Sequence, residues 1–141
     1  LSKKNISTVH KRPADALIMA DPDHVRIIMH NLIVNAIKFT PPDGRIEIYY
    51  VPENEYITVH VKDSGVGMPE EKLVKLFNTM GKDLTTYGTN KERGIGIGLM
   101  LVRKFTEENK ARIGVQSKPG EGTDFSITFM RRVQPGTGES V

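Results

Sequence analysis

Two rhythms of apolar residues run along the chain, one near the helical period of 3.6 and one at the strand period of 2. The helical rhythm is clearest at Val25, Ile28, Met29, Leu32 and Ala36. Asp21-Pro22-Asp23 announces the start of that helix, with a capping carboxylate, a proline at the first position and a second acid in the first turn. Pro41-Pro42-Asp43-Gly44 ends it by Thr40. The strand rhythm follows. Arg45 to Val51 reads as a strand and Pro52-Glu53-Asn54-Glu55 as a turn. From Tyr56 to Asp63, Ile57, Val59 and Val61 face one way and Thr58, His60 and Lys62 the other. Arg112–Ser117 and Thr123–Met130 predict a second hairpin across Lys118-Pro119-Gly120-Glu121-Gly122. Ala16 to Ala20 reads as a short buried strand, Pro69-Glu70-Glu71 opens a short helix, and another helix is expected from about Gly96 to Asn109. Asn78 to Arg93 is weakly patterned and predicts a long surface loop, a length often used for lids. Hairpins mixed with helices predict an α+β fold, a two-layer α/β sandwich. Its sheet is mixed, largely antiparallel and covered by helices on one face.

Composition narrows this little. The 141 residues suit one domain, here residues 1–132, with a polar, breaker-rich tail over 133–141. The chain has no Cys, which excludes disulfides and thiolate metal sites. No apolar run approaches the roughly 20 residues of a membrane span. Leu1-Ser2-Lys3-Lys4 is no signal peptide and lacks an initiator Met, so a piece of a longer protein is expected. The net charge of +3 is spread among interspersed acids and bases, so nothing indicates a nucleic-acid partner.

Four clusters could carry chemistry. Asn31, Asn35 and Lys38 sit at i, i+4 and i+7, within an arc of about 60° beside the apolar stripe. Two amides and an ammonium there could hold a phosphate and its cation, although the solvated edge of an amphipathic helix looks the same. Asp63-Ser64-Gly65-Val66-Gly67 ends an alternating strand, where a carboxylate could accept an amine and glycines permit close approach. Gly94-Ile95-Gly96-Ile97-Gly98-Leu99 leads into a helix, whose N–H groups favour anions. Its spacing fits neither the dinucleotide fingerprint nor the P-loop. Gly120-Glu121-Gly122-Thr123-Asp124-Phe125 alone is a Gly-rich hairpin turn.

Together, in this order, these segments resemble the histidine-kinase branch of the family that includes type II topoisomerases, Hsp90 chaperones and MutL repair ATPases. His30 to Thr40 is similar to its N box, Asp63 to Gly67 to its G1 box, Lys75-Leu76-Phe77 to a reduced F box, Gly94 to Leu99 to its G2 box and Gly120 to Phe125 to its G3 box. The resemblance covers residues 5 to 130 and implies a Bergerat-type sandwich binding ATP with Mg²⁺. It implies Asn35 as the Mg²⁺ ligand, Asn31 and Lys38 on the phosphates as the catalytic pair, and Asp63 on the adenine amine. Gly65 and Gly67 would let adenine lie close. Residues 78 to 93 would form a lid, with Gly94, Gly96, Gly98 and Leu99 as hinge and phosphate contact. Thr123 would reach adenine through water. Asn31 stands where hydrolytic relatives carry a glutamate that activates water; an amide has no titratable proton and cannot be that base.

The acceptor histidine of such kinases is absent, since none of His10, His24, His30 and His60 has the expected context. All four are expected to be structural or solvated. The implied partners are a histidine-bearing dimerisation domain of the same receptor and, downstream, a response regulator. The isolated domain is expected to be monomeric and to work on the cytoplasmic side, with any inner-membrane anchor elsewhere in the receptor. The reduced F box leaves Lys82, Lys91 and Arg93 as candidate phosphate contacts, and Asn109-Lys110-Ala111 replaces a common Gly-Gly. Two alternatives stay open, a non-catalytic nucleotide-sensing module and a hydrolytic ATPase.

Overall fold

A computed structural model of the chain describes residues 7–10, 18–80 and 93–131, with side chains at 8–10, 77–80 and 93–97 excepted. The elements in chain order are β1 (Ser7–His10), α1 (Pro22–Phe39), β2 (Arg45–Pro52), β3 (Tyr56–Asp63), α2 (Glu70–Met80), α3 (Arg93–Glu108), β4 (Arg112–Lys118) and β5 (Gly122–Met130). The strands form one sheet in the order β1-β2-β3-β5-β4. β1 runs parallel to β2, and the other three pairings are antiparallel. The mixed, largely antiparallel α+β sheet is therefore borne out.

Strand alternation decides which face is buried. Ile46 and Ile48 of β2, Ile57, Val59 and Val61 of β3, and Phe125, Ile127 and Phe129 of β5 all point inward and are buried. Ile28, Leu32 and Ala36 of α1 and Leu99 and Val102 of α3 close over them. Each fully buried Ile, Leu or Phe contributes about 1.5–3 kcal/mol, so this shared core holds the helices on one face. α1 starts as its sequence dictates: the Asp21 carboxylate accepts from the Asp23 and His24 N–H groups, and Pro22 follows directly. The chain turns away at Thr40, which is buried and donates its hydroxyl to the Ala36 carbonyl.

Three local expectations change. Around Ile18 there is only a single bridge to Arg131, and Met19 is 55% exposed, so the described part of Ala16–Ala20 is no buried strand. β1 is a strand that the apolar pattern did not announce. α2 continues to Met80 and α3 starts at Arg93, which shortens the expected loop at both ends. The remainder of that loop, with Lys82 and Lys91, and the 133–141 tail lie outside the described residues. Among the described residues no helix is long and apolar enough to cross a membrane.

Candidate functional site

The inward stripe of the sheet turns polar at one end. Asp63 follows Val61 in the inward register of β3, and its cross-strand partner Thr123 precedes Phe125 in that of β5. Both are buried, and the Asp63 carboxylate is left with 5% exposure. The Gly65 and Thr123 N–H groups donate to Asp63 at 2.7 and 3.2 Å. Both land on Oδ1, so Oδ2 is the oxygen open to a further donor. Burial raises the pKa of this carboxyl above the ordinary carboxylate range. The Gly65 and Thr123 bonds pull it back in part, and the nearby Asp124 charge pushes it up again.

The glycines hold this corner closed. A Cβ on Gly65 would sit 2.3 Å from the Phe39 carbonyl oxygen, and one on Gly67 (φ +73°) would sit 1.9 Å from that of Lys118. The sequence suggested that these glycines admit a ligand. On the side where a Cβ would stand, each glycine is met by the chain's own backbone, because the loop after β3 is pressed between the end of α1 and the β4–β5 turn. The Val66 N–H donates to the Phe39 carbonyl and the Gly120 N–H to that of Val66.

α1 ends at this corner with Phe39 and carries its amides one and two turns back, at Asn35 and Asn31. Asn35 is buried at 5% exposure, and its Nδ2 has no hydrogen-bond partner among the described residues. A buried amide N–H left unpaired costs about 1–3 kcal/mol, so Asn35 is a candidate for a ligand contact. Asn31 is partly committed. Its Nδ2 donates to the Ile27 carbonyl at 2.8 Å, and its Oδ1 would lie 2.9 Å from a Cβ on Gly98. Gly98 therefore serves close packing of α3 on α1. Lys38 is exposed one turn further on.

The third glycine cluster departs from expectation. Gly94, Gly96 and Gly98 lie inside α3 rather than ahead of it. Leu99, expected at the ligand, is 1% exposed within the core, because it falls on the inward stripe with Val102 and Thr106. Sequence reasoning also missed Ser117 on β4. Its Oγ meets the Met68 N–H at 2.8 Å, the Gly122 carbonyl at 2.9 Å and the Thr123 Oγ1 at 2.8 Å. No sequence signal distinguishes such a serine. A cleft of about 700 Å³ opens beside it between α2 and the β4–β5 hairpin, with Met68, Leu73 and Val115 as apolar lining. Thr123 lines this cleft, whereas Asp63, Asn31, Asn35 and Lys38 do not. The cleft adjoins the corner that holds Asp63 through Thr123, which lines the one and pairs with the other.

Of the described histidines, His24 packs against Phe105 with the rings tilted by 35° and meets the Asn109 amide at 3.0 Å. His60 stacks on Tyr49 and meets the Asp124 carboxylate at 3.0 Å. His30 is exposed. Among the described residues no three acidic, imidazole or thiol groups converge on a metal-holding position.

Comparison with known proteins matches residues 20–133 to the family profile "Histidine kinase-, DNA gyrase B-, and HSP90-like ATPase". Sporulation kinase E of Bacillus subtilis is 35% identical over 113 residues, 79% of this chain and 14% of that protein. The sensor protein kinase WalK of Staphylococcus saprophyticus is 32% identical over 133 residues, 92% of this chain and 22% of that protein. The chain thus spans less than a quarter of the length of these two curated relatives. Among solved structures, the nucleotide-free catalytic domain of histidine kinase ThkA superposes with a TM-score of 0.73 at 25% identity. That match covers 92% of this chain and 81% of the other.

Proposed function

The chain belongs to the family of histidine kinase-, DNA gyrase B- and HSP90-like ATPases, and we propose that it is the ATP-binding catalytic domain of a sensor histidine kinase whose γ-phosphoryl group goes to a histidine on a separate dimerisation domain. One observation carries this reading. A buried carboxylate with one oxygen committed and the other open stands at the same end of the fold as a buried, unpaired amide.

In this reading, Asp63 Oδ2 accepts the exocyclic amine of adenine, a donor that matches an acceptor-only group. Thr123 completes the base site through water. The residues fit a hard cation at Asn35, whose carboxamide is unspent and can turn an oxygen toward Mg²⁺. Mg²⁺ would supply charge neutralisation of the triphosphate, held chiefly by the phosphate oxygens and water. Lys38 neutralises a phosphate oxygen from the solvent side. Asn31 keeps one N–H for a phosphate beyond the one given to Ile27. Gly94 and Gly96 lie in the first turn of α3, whose N–H groups favour anions. Gly98 supports the site by packing on Asn31, and Gly65 and Gly67 do so by fixing the loop.

The chemistry asked of these residues is positioning and charge stabilisation, as phosphoryl transfer requires. A neutral imidazole nitrogen attacks phosphorus, the bond to the β–γ bridging oxygen breaks, and ADP leaves. Asn31 cannot serve as the base that would activate water, which favours transfer over hydrolysis. The dimerisation domain and a response regulator are then the partners. Because ATP is cytoplasmic, the domain works on that side of any membrane that anchors the receptor. The test is to mix the chain with labelled ATP and the receptor's histidine-bearing domain. Acid-labile label on that histidine supports the reading. Steady phosphate release by the chain alone favours a hydrolytic ATPase. Binding without either reaction favours a sensing module.

A further inference from the structure

We infer that Ser117 is a positioning residue that fixes the polarity of the Thr123 hydroxyl and so helps select a 6-amino purine, an inference that rests on the nucleotide reading above. Ser117 Oγ carries a single hydrogen and has three neighbours. The Met68 N–H can only donate to it, at 2.8 Å. The Gly122 carbonyl can only accept from it, at 2.9 Å. With its hydrogen given to Gly122, Ser117 can meet Thr123 Oγ1 at 2.8 Å only by accepting the threonine's hydrogen. This is the one assignment that makes all three contacts hydrogen bonds.

Thr123 is thereby left with lone pairs and no free proton. Its own N–H is spent on Asp63 Oδ1. Asp63 and Thr123 therefore present acceptors only, at Oδ2 and Oγ1. A purine bearing an amine at position 6 offers hydrogens to such a pair, directly or through water. A purine bearing a carbonyl there sets a lone pair against Asp63 Oδ2 and can donate only from its N1–H. Removing the serine hydroxyl frees the threonine to turn and donate, so the site becomes tolerant of a 6-oxo base. Ser117 also ties the loop after β3 to the β4–β5 hairpin through Met68 and Gly122, and it is half-buried beside the cleft. That tie alone would alter binding of both bases equally.

The test is calorimetric titration of the folded chain with non-hydrolysable ATP and ITP analogues in Mg²⁺, whose bases differ in the group at position 6 and in the hydrogen on N1. Ser117→Ala is expected to narrow the preference for ATP by roughly threefold to tenfold, the size of one redirected hydrogen bond. Ser117→Thr, which keeps the hydroxyl, is expected to restore it. In a Thr123→Val background Ser117→Ala is expected to leave the preference unchanged, because no hydroxyl remains to turn. Equal weakening of both nucleotides, or an unchanged preference in Ser117→Ala, overturns the assignment. Failure of the folded wild-type chain to bind ATP overturns the nucleotide reading itself, and the inference with it.

Discussion

Replacing Asp63 by Asn should reverse the base preference of the site while making the protein more stable. Both backbone donors, from Gly65 and Thr123, land on Oδ1 at 2.7 and 3.2 Å. An asparagine must keep its carbonyl oxygen there, because its amino group would face two N–H donors. The NH₂ is therefore forced into the place of Oδ2, against the adenine amine. The lost bond to a charged acceptor is worth about 1.5–3 kcal/mol, so ATP affinity should fall roughly tenfold to a hundredfold. ITP, with an oxygen at that position, should lose much less or gain. The stability change has its own sign. Burial raises the Asp63 pKa in the folded state, so folding opposes the ionised form. That handicap is absent below the unfolded pKa and grows as pH rises through the folded one. Asp63→Asn should thus be more stable than wild type at neutral pH. The difference should shrink as pH falls through the raised Asp63 pKa. Calorimetry with both nucleotides and urea melts at neutral and acidic pH check the two halves. Wild-type ATP affinity in the variant would refute the assignment of Oδ2, and a variant less stable at neutral pH would refute the burial argument.

Other perturbations test the frame that holds the site. Asn109 accepts the Asp21 N–H at 2.8 Å and donates to the Phe105 carbonyl and the His24 ring, clamping the start of α1 to the end of α3. Asn109→Ala should cost about 1–3 kcal/mol in urea unfolding, and a neutral result would show the clamp to be idle. Asp21→Ala removes the α1 cap and should cost about 1 kcal/mol in the same assay, with less effect expected from Asp21→Ser. Gly67→Ala places a methyl 1.9 Å from the Lys118 carbonyl oxygen at φ +73°, so it should destabilise by more than the ~1–2 kcal/mol of the backbone penalty alone. A thermal midpoint equal to wild type would contradict that packing.

What the sequence discloses here depends on how local the cause is. The α1 helix was legible because its cap, its proline and its stripe lie within a few residues of one another. Asp63 was legible because it continues an alternation that Ile57, Val59 and Val61 establish. β1 was not, since Ser7–His10 is short and its pairing with Arg45–Ile48 spans a whole helix. The early start of α3 was hidden by three glycines, which lower helix propensity and are tolerated where Gly98 packs on Asn31. Gly65 and Gly67 announced close approach, and the group that meets their Cβ side is backbone. Ser117 was invisible because its partners come from two segments, the loop after β3 and the start of β5. The orphaned Asn35 amide shows the reverse case: the sequence offered the residue, and only packing shows that it is unspent.

The central claim is that the Asp63–Asn35 end of the sheet binds ATP with Mg²⁺. It is tested most directly by titrating the folded chain with a non-hydrolysable ATP analogue, in Mg²⁺ and in chelator, beside Asn35→Ala. Micromolar binding, about −8 kcal/mol, is expected to weaken in chelator, and the Asn35→Ala variant is expected to bind weakly and no longer respond to Mg²⁺. Folded wild-type protein that takes up no nucleotide, or binds it equally well with Mg²⁺, with chelator and without the Asn35 amide, would contradict it.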